Sequence, residues 1–409
     1  MSKFNTGSVQ TRTHSPLRTS KTATGTTYEG HPGYSRDTCS ELFLLAVSNF
    51  VGENTFYEKA QDRDNRFVKL VREAAEHNPL WTADFLAWLR SDGNMRSASI
   101  VGAAEYADVN RKAKEPERGG RSVVNSVLQR ADEPGEMLAY WTSAHGKAIP
   151  KPIKRGVADA VERLYTERNL LKYDSDAKGY RFGDVLDLAH PSAKAPWQGD
   201  LYKHALDRRH NRDNPIPESL RTLHARAALM AVPVKERRAH LNPDELAEAG
   251  MTWEACAGWL QGPMDKQAWE AVIPNMGVMA LIRNLRNFDE AQVSDEVAEG
   301  ICKLIADPEV VAKSRQLPYR WFSAYREISN DRWRVALGKA LDAAMQNIPA
   351  LPGRTLILVD TSGSMSGMTY SARSKMSPVM SASLFGVALA SKCGAANVEL
   401  FGFAAPHLL

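Results

Sequence analysis

No stretch of the 409-residue chain approaches the unbroken apolar length of a transmembrane helix. The polar N-terminus carries no secretory pattern either, so the sequence predicts a protein without membrane association. Cysteine is scarce. Cys39, Cys256, Cys302 and Cys393 stand far apart with no Cys-x-x-Cys spacing, which argues against a disulfide or zinc framework and predicts reduced thiols in a cytoplasmic protein. Charge is nearly balanced at a formal +4, and residues 1–36 hold five basic residues against one acidic, so the remainder is neutral overall. Any nucleic-acid site on that body must come from local clustering of cations. Strand signals are nearly missing before residue 354, which excludes an all-β or regularly alternating fold there.

Helical pattern takes their place. Residues 1–36 are rich in Ser, Thr and Gly and are expected to form a disordered basic arm. From residue 37 to about 350, helix-forming segments alternate with Pro, Gly or Asn punctuation. A first helix would carry Leu42, Leu45, Ala46 and Asn49 on one face, and a second Phe67, Leu70, Val71 and Ala74. A third would carry Leu80, Asp84 and Trp88, with Phe85 and Leu89 beside them. Similar stripes recur around 98–106, 121–130, 136–145, 154–171, 181–189, 217–232, 244–261, 276–287, 294–306 and 332–346. So many consecutive amphipathic helices predict a mainly α chain, an α-solenoid of HEAT-like repeats, although no strict period is present.

Residues 351–409 break the pattern. Leu356 to Val359 form a short apolar run between Pro352-Gly353 and a Ser/Gly turn, the signature of a strand buried on both faces of a parallel sheet. Asp360, Ser362 and Ser364 would follow at its carboxyl end as hard oxygen donors suited to magnesium. Two other readings compete. Gly363-Ser364-Met365-Ser366-Gly367 matches a nucleophile elbow, with only Glu399 and His407 downstream to complete a triad. An ordinary helix-capping turn is the third. A helix after Ser377-Pro378 and a strand over Val398–Phe403 would complete a β-α-β unit, short of the roughly 150 residues a doubly wound domain needs. The expectation is an incomplete α/β domain with a weak metal shell.

Within the helical part, residues 147–172 hold seven basic residues against three acidic ones. Lys151, Lys154 and Arg155 fall within one turn at a helix start, where cations oppose the helix dipole, so an external anion is a natural partner. A merely solvated face is the bland alternative. His190 is expected in the last turn of a helix, either as a dipole-favoured cap or as a group that stacks on an RNA base. Arg283 and Arg286, with Asn284 and Asn287, would project opposite the apolar face of Met279, Leu281, Ile282 and Leu285, for phosphate forks or for interhelical salt bridges.

Five blocks in order resemble the Ro autoantigen family, whose shared module is the TROVE domain. They are the run from Lys151-Pro-Ile-Lys-Arg-Gly-Val-Ala-Asp-Ala-Val, Phe182-Gly-Asp-Val-Leu-Asp-Leu-Ala-His-Pro, Met279-Ala-Leu-Ile-Arg-Asn-Leu-Arg-Asn, Leu317-Pro-Tyr-Arg-Trp-Phe-Ser-Ala-Tyr and Leu358-Val-Asp-Thr-Ser-Gly-Ser-Met. The resemblance implies a ring or arc of helical hairpins with a basic hole, leading into a von Willebrand A-like domain. It implies noncatalytic binding of small noncoding Y-like RNAs and of single-stranded ends of misfolded RNAs, in RNA quality control, with no role for DNA. An exoribonuclease such as polynucleotide phosphorylase is the implied protein partner. Lys151, Lys154, Arg155, Lys172 and His190 match the region that would hold RNA, and Arg283 and Arg286 would line the hole. Asp360, Ser362 and Ser364 match the ligands of a metal-ion-dependent adhesion site for a divalent cation such as Mg2+. The alternative from the residues alone is a helical-repeat scaffold for protein partners.

Overall fold

The computed structural model describes residues 23–26, 30, 32–48, 59–113, 119–346, 348–367, 369 and 376–404. Most of the predicted basic arm, Asn49 and His407 lie outside them. Within the arm only a minimal antiparallel pair is described, Gly25–Thr26 (β1) with Pro32–Gly33 (β2). The chain divides into two units, Met1–Pro217 and Glu218–Leu409.

In the first unit, helices α1 (Thr38–Ser48), α2 (Ala60–His77), α3 (Pro79–Ser91), α4 (Arg96–Asn110) and α5 (Gly120–Val127) pack in succession. They are followed by α6 (Glu133–His145), α7 (Lys151–Leu164), α8 (Glu167–Tyr173), α9 (Phe182–Ala189) and α10 (Pro196–Arg209). The stripe Phe67, Leu70, Val71 and Ala74 is buried as its spacing requires. On α3 the expected face is wrong: Leu80 and Trp88 are exposed, while Ala83, Phe85, Leu86 and Leu89 form the core side. That helix is apolar nearly all round, so spacing could not choose its inner face. Trp88 instead stacks with Phe43 at 5.7 Å, and Trp81 with Phe85 at 4.9 Å.

The stripe expected over 154–171 is two helices. Tyr165 leaves helical geometry, buries its ring against Phe182 at 3.8 Å, and hands over to Thr166, whose hydroxyl caps the Asn169 amide of α8.

Buried charge ties this unit together. Glu133 is fully buried and accepts from Arg90 Nη2 at 2.6 Å and from the backbone amides of Gln129 at 2.6 Å and Arg130 at 3.0 Å, with Arg96 Nε at 3.3 Å. A second buried carboxylate, Glu105, meets Arg72 Nη1 at 2.5 Å, the Tyr140 hydroxyl at 2.6 Å and His145 Nε2 at 2.6 Å. Burial pushes the Asp108 carboxyl upward, but hydrogen bonds from Lys112, Arg72 and Arg111 outweigh it and hold the group at about 2, below its ordinary 3.8. Burial likewise opposes, and hydrogen bonding from Arg130 leads, the lowering of Asp132 to about 2. Both folded values lie below the unfolded one, so their stabilisation is complete above pH ~4 and lost as pH falls through about 2. An acid titration followed by circular dichroism is expected to show destabilisation in that window. Asp108→Asn should flatten it by lowering stability at neutral pH.

The second unit continues with α11 (Arg221–Ala231), α12 (Pro243–Glu248), α13 (Trp253–Leu260), α14 (Lys266–Val272) and α15 (Val278–Glu290). The stripe expected over 244–261 is broken at Gly250, whose φ of +59° ends α12. Helices α16 (Asp295–Ala306), α17 (Pro308–Ser314), α18 (Pro318–Glu327) and α19 (Asp331–Met345) surround a core built on Trp269, Phe288, Trp321 and Trp333.

Strand β3 (Thr355–Asp360) then pairs in parallel with β4 (Val398–Phe403), in register from Thr355 opposite Val398 to Asp360 opposite Phe403. The one-turn helix α20 (Gly363–Ser366) and the longer α21 (Pro378–Lys392) connect them. Helix α21 covers one face, where Gly386 lets its backbone approach Val359 and Leu400. The other face is open, so the expectation of a strand buried on both sides fails: Leu356 and Leu358 are 58% and 59% exposed.

Candidate nucleic-acid interface

Helix α7 is amphipathic by residue spacing: Ile153, Gly156, Val157, Ala160 and Val161 are buried, while Lys151 and Arg155 are exposed and Lys154 is half-buried. Gly156 sets its position. A Cβ there would lie 2.6 Å from Val124 Cβ and 2.7 Å from the Arg121 carbonyl oxygen, so α7 rests directly on α5.

The two acidic residues of α7 are engaged with cations from elsewhere. Asp159 takes a two-pronged pair from Arg121, at 2.6 Å each, and Glu162 pairs with Lys194 at 3.2 Å. Lys151, Lys154 and Arg155 have no ion-pair partner among the described residues, and the first turn of α7 contains no acid. Three cations therefore stand at a helix start where the dipole disfavours them. Lys151 borders an open pocket of about 530 Å3 lined also by Arg111, Ala148, Ile149, Pro150 and Pro152.

The other candidates do not join this cluster. Lys172 lies near the end of α8 with its ammonium 5.2 Å from the centre of the Tyr173 ring, and Arg130 approaches the same ring at 5.5 Å. The guanidinium of Arg130 is already held by Asp132 through two hydrogen bonds of 2.6 Å. His190 is not in the last turn of α9, as expected, but follows it as the C-cap in left-handed geometry, φ 51°, with its amide on the Leu186 carbonyl. Its side chain is exposed. The segment after it lies against the far end of α7: the Ser192 amide donates to Glu162 at 3.3 Å and Gln198 donates to the Glu162 carbonyl at 2.6 Å. Glu162 is about 12 Å along the helix axis from Lys154.

In the second unit Arg283 and Arg286 are exposed on α15, and Arg286 reaches Glu290 at 3.4 Å. Asn284, expected outward with them, is buried instead. Its amide donates to the Ala280 carbonyl at 2.8 Å and its oxygen accepts from Asn287, so the core requires it.

At the carboxyl end of β3 the three oxygen donors do come together. Asp360 Oδ1 accepts the Ser362 amide at 2.9 Å, and the Ser362 and Ser364 hydroxyls are 3.1 Å apart. The backbone and side-chain hydrogen bonds from Ser362 hold the Asp360 carboxyl below its ordinary value, so it is ionised at neutral pH. One carboxylate and two hydroxyls suit magnesium in kind, as a partial shell. Among the described residues no cluster of three or more His, Cys, Asp or Glu forms a metal site.

Residues 248–336 match the family model described as the TROVE domain. The matched segment includes Arg283, Arg286 and the blocks beginning at Met279 and Leu317; the cluster on α7 and the Asp360 turn lie outside it. In fold the chain is similar to the crystal structure of the Ro (RSR) protein of Deinococcus radiodurans, with a TM-score of 0.64 at 17% identity over 90% of this chain and 75% of that one. The mainly helical architecture expected from the sequence is thus the observed one. No curated protein sequence matches the chain. No helix of the described residues is long and apolar enough to cross a membrane.

Proposed function

We propose that this protein is an RNA-binding, Ro-like ribonucleoprotein component. The observation that carries the reading is the cationic start of α7: Lys151, Lys154 and Arg155 lack acidic partners among the described residues, while the carboxylates of Asp159 and Glu162 on the same helix are neutralised from outside it. Such a group costs its helix stability and gains only when an external anion arrives. The TROVE match and the Ro-like fold support the same reading.

Within it, the ligands are small noncoding, Y-like RNA and single-stranded ends of misfolded RNA, handled in cytoplasmic quality control. Phosphate contacts at α7 supply affinity, and His190 and Lys172 meet exposed bases or flanking phosphates. Arg283 and Arg286 hold a second stretch of strand. The protein binds and does not turn RNA over, so degradation falls to an exoribonuclease partner of the polynucleotide phosphorylase kind. Filter binding of a structured RNA with a single-stranded tail, in rising salt, tests the proposal. Affinity should fall steeply as salt increases. A flat salt response, or purification from cells with protein partners and no RNA, refutes it.

Magnesium has a minor part. Asp360, Ser362 and Ser364 would hold the ion through one charge and three oxygens, and its chemistry there would be structural or adhesive. Titration calorimetry with magnesium is expected to give weak or no binding, and a submicromolar affinity would contradict that assignment.

A further inference from the structure

Helix α11 packs on α12 and α13 through Leu229, which is buried, with Ala225 and Val232 half-buried beside it, and leaves Arg221, His224 and Ala228 exposed along the same face. Arg221, His224, Ala225, Ala228, Leu229 and Val232 recur at three- and four-residue spacing, and all six line an open groove of about 690 Å3. Its floor is apolar and, at Ala225 and Ala228, shallow enough for another backbone to come close. Its rim is acidic. Glu245 and Glu248 stand on α12 and Glu218 just before α11, against the single arginine, Arg221. Glu245 is fixed by His240 Nδ1 at 2.7 Å, from the short 3-10 turn Arg237–His240. The side chains of Glu218 and Glu248 have no partner among the described residues. The large apolar side chains of Met230 and Val234, beside this face in sequence, are exposed as well.

We propose that this groove docks a basic amphipathic helix of a protein partner. Charge decides the class of occupant. Three carboxylates against one arginine repel the phosphates of RNA and attract lysine or arginine. Shape decides its form. Eleven helical residues in α11 span roughly 16 Å, the length of three turns, and a floor of small and aliphatic residues takes the apolar stripe of such a helix. Lysines at its flanks then reach Glu218 at one end of the groove and Glu245 and Glu248 along its side. This surface is independent of the RNA reading, because it uses none of the cations of α7.

Fluorescence anisotropy of the full chain with a labelled Leu/Lys amphipathic peptide tests it. The same peptide with Glu in place of Lys, and single-stranded oligoadenylate, serve as comparison probes. The Leu/Lys peptide should bind, and Glu218→Lys with Glu248→Lys should weaken it about tenfold by turning attraction into repulsion. Ala228→Trp, which fills the floor without changing charge, should weaken it comparably. Lys154→Glu with Arg155→Glu should leave peptide binding unchanged. Circular dichroism confirms folding, and the exposed glutamate variants decide alone if Ala228→Trp unfolds. Failure of the peptide to bind, equal binding by the groove variants, or loss of oligoadenylate binding in those variants overturns the proposal.

Discussion

Glu133→Ala is expected to destabilise the first unit by ~3–5 kcal/mol, the range for breaking a buried ion pair and stranding its partner. The carboxylate has no solvent access, three donors converge on it, Arg90 and two backbone amides of the turn before α6, and Arg96 adds an ion pair at 3.3 Å. Alanine would leave the guanidinium of Arg90, itself buried, with only the Val127 carbonyl, and would leave both amides without an acceptor. Urea unfolding at neutral pH reads the loss. Adding Arg90→Met should recover part of it, because removing both charges is far less costly than removing one. A single variant as stable as the unaltered chain would mean that water reaches this site, contrary to the burial described.

Lys154→Glu with Arg155→Glu is expected to lower affinity for structured RNA about a hundredfold at low salt, since two phosphate contacts become two repulsions. The slope of log affinity against log salt should shrink by about one to two units, one for each phosphate contact removed. Stability should move the other way. Acidic residues near the start of α7 favour its dipole, so a gain of ~0.3–1 kcal/mol is expected at low ionic strength. The opposed signs are diagnostic. A general folding defect would lower both quantities, and a surface with no RNA role would change stability while leaving binding alone.

Much of the fold was legible because amphipathic spacing is strong in α2, α7 and α15, where Phe67, Val157 and Leu285 fall on faces the packing does bury. Helices α10, α14, α17 and α18 escaped notice because their apolar residues are irregularly placed. Three of them begin with proline, at Pro196, Pro308 and Pro318, and that first-turn signal could have revealed them. At the candidate interface, spacing placed Lys151, Lys154 and Arg155 correctly, because one turn of helix fixes their neighbourhood. It could not show that Arg121 and Lys194 neutralise the acids beside them, since those pairs join residues 38 and 32 positions apart in sequence. Nor could it show Asn284 turned inward, where a buried amide is satisfied by its own helix.

The glycine at 156 carries a thermodynamic consequence for ligand capture. Because α7 rests on the Val124 side chain and the Arg121 carbonyl of α5 there, the turn that holds the three cations is ordered in advance, and on the proposed function it would need no ordering by RNA. Only side-chain rotamers remain to be fixed on binding, at ~0.5–1.5 kcal/mol for each long side chain immobilised. Preorganisation of this kind lets a few weak phosphate contacts accumulate without the ordering cost that a flexible basic tail would incur. The residue with no side chain thus governs how cheaply, in entropy, the charged ones can act.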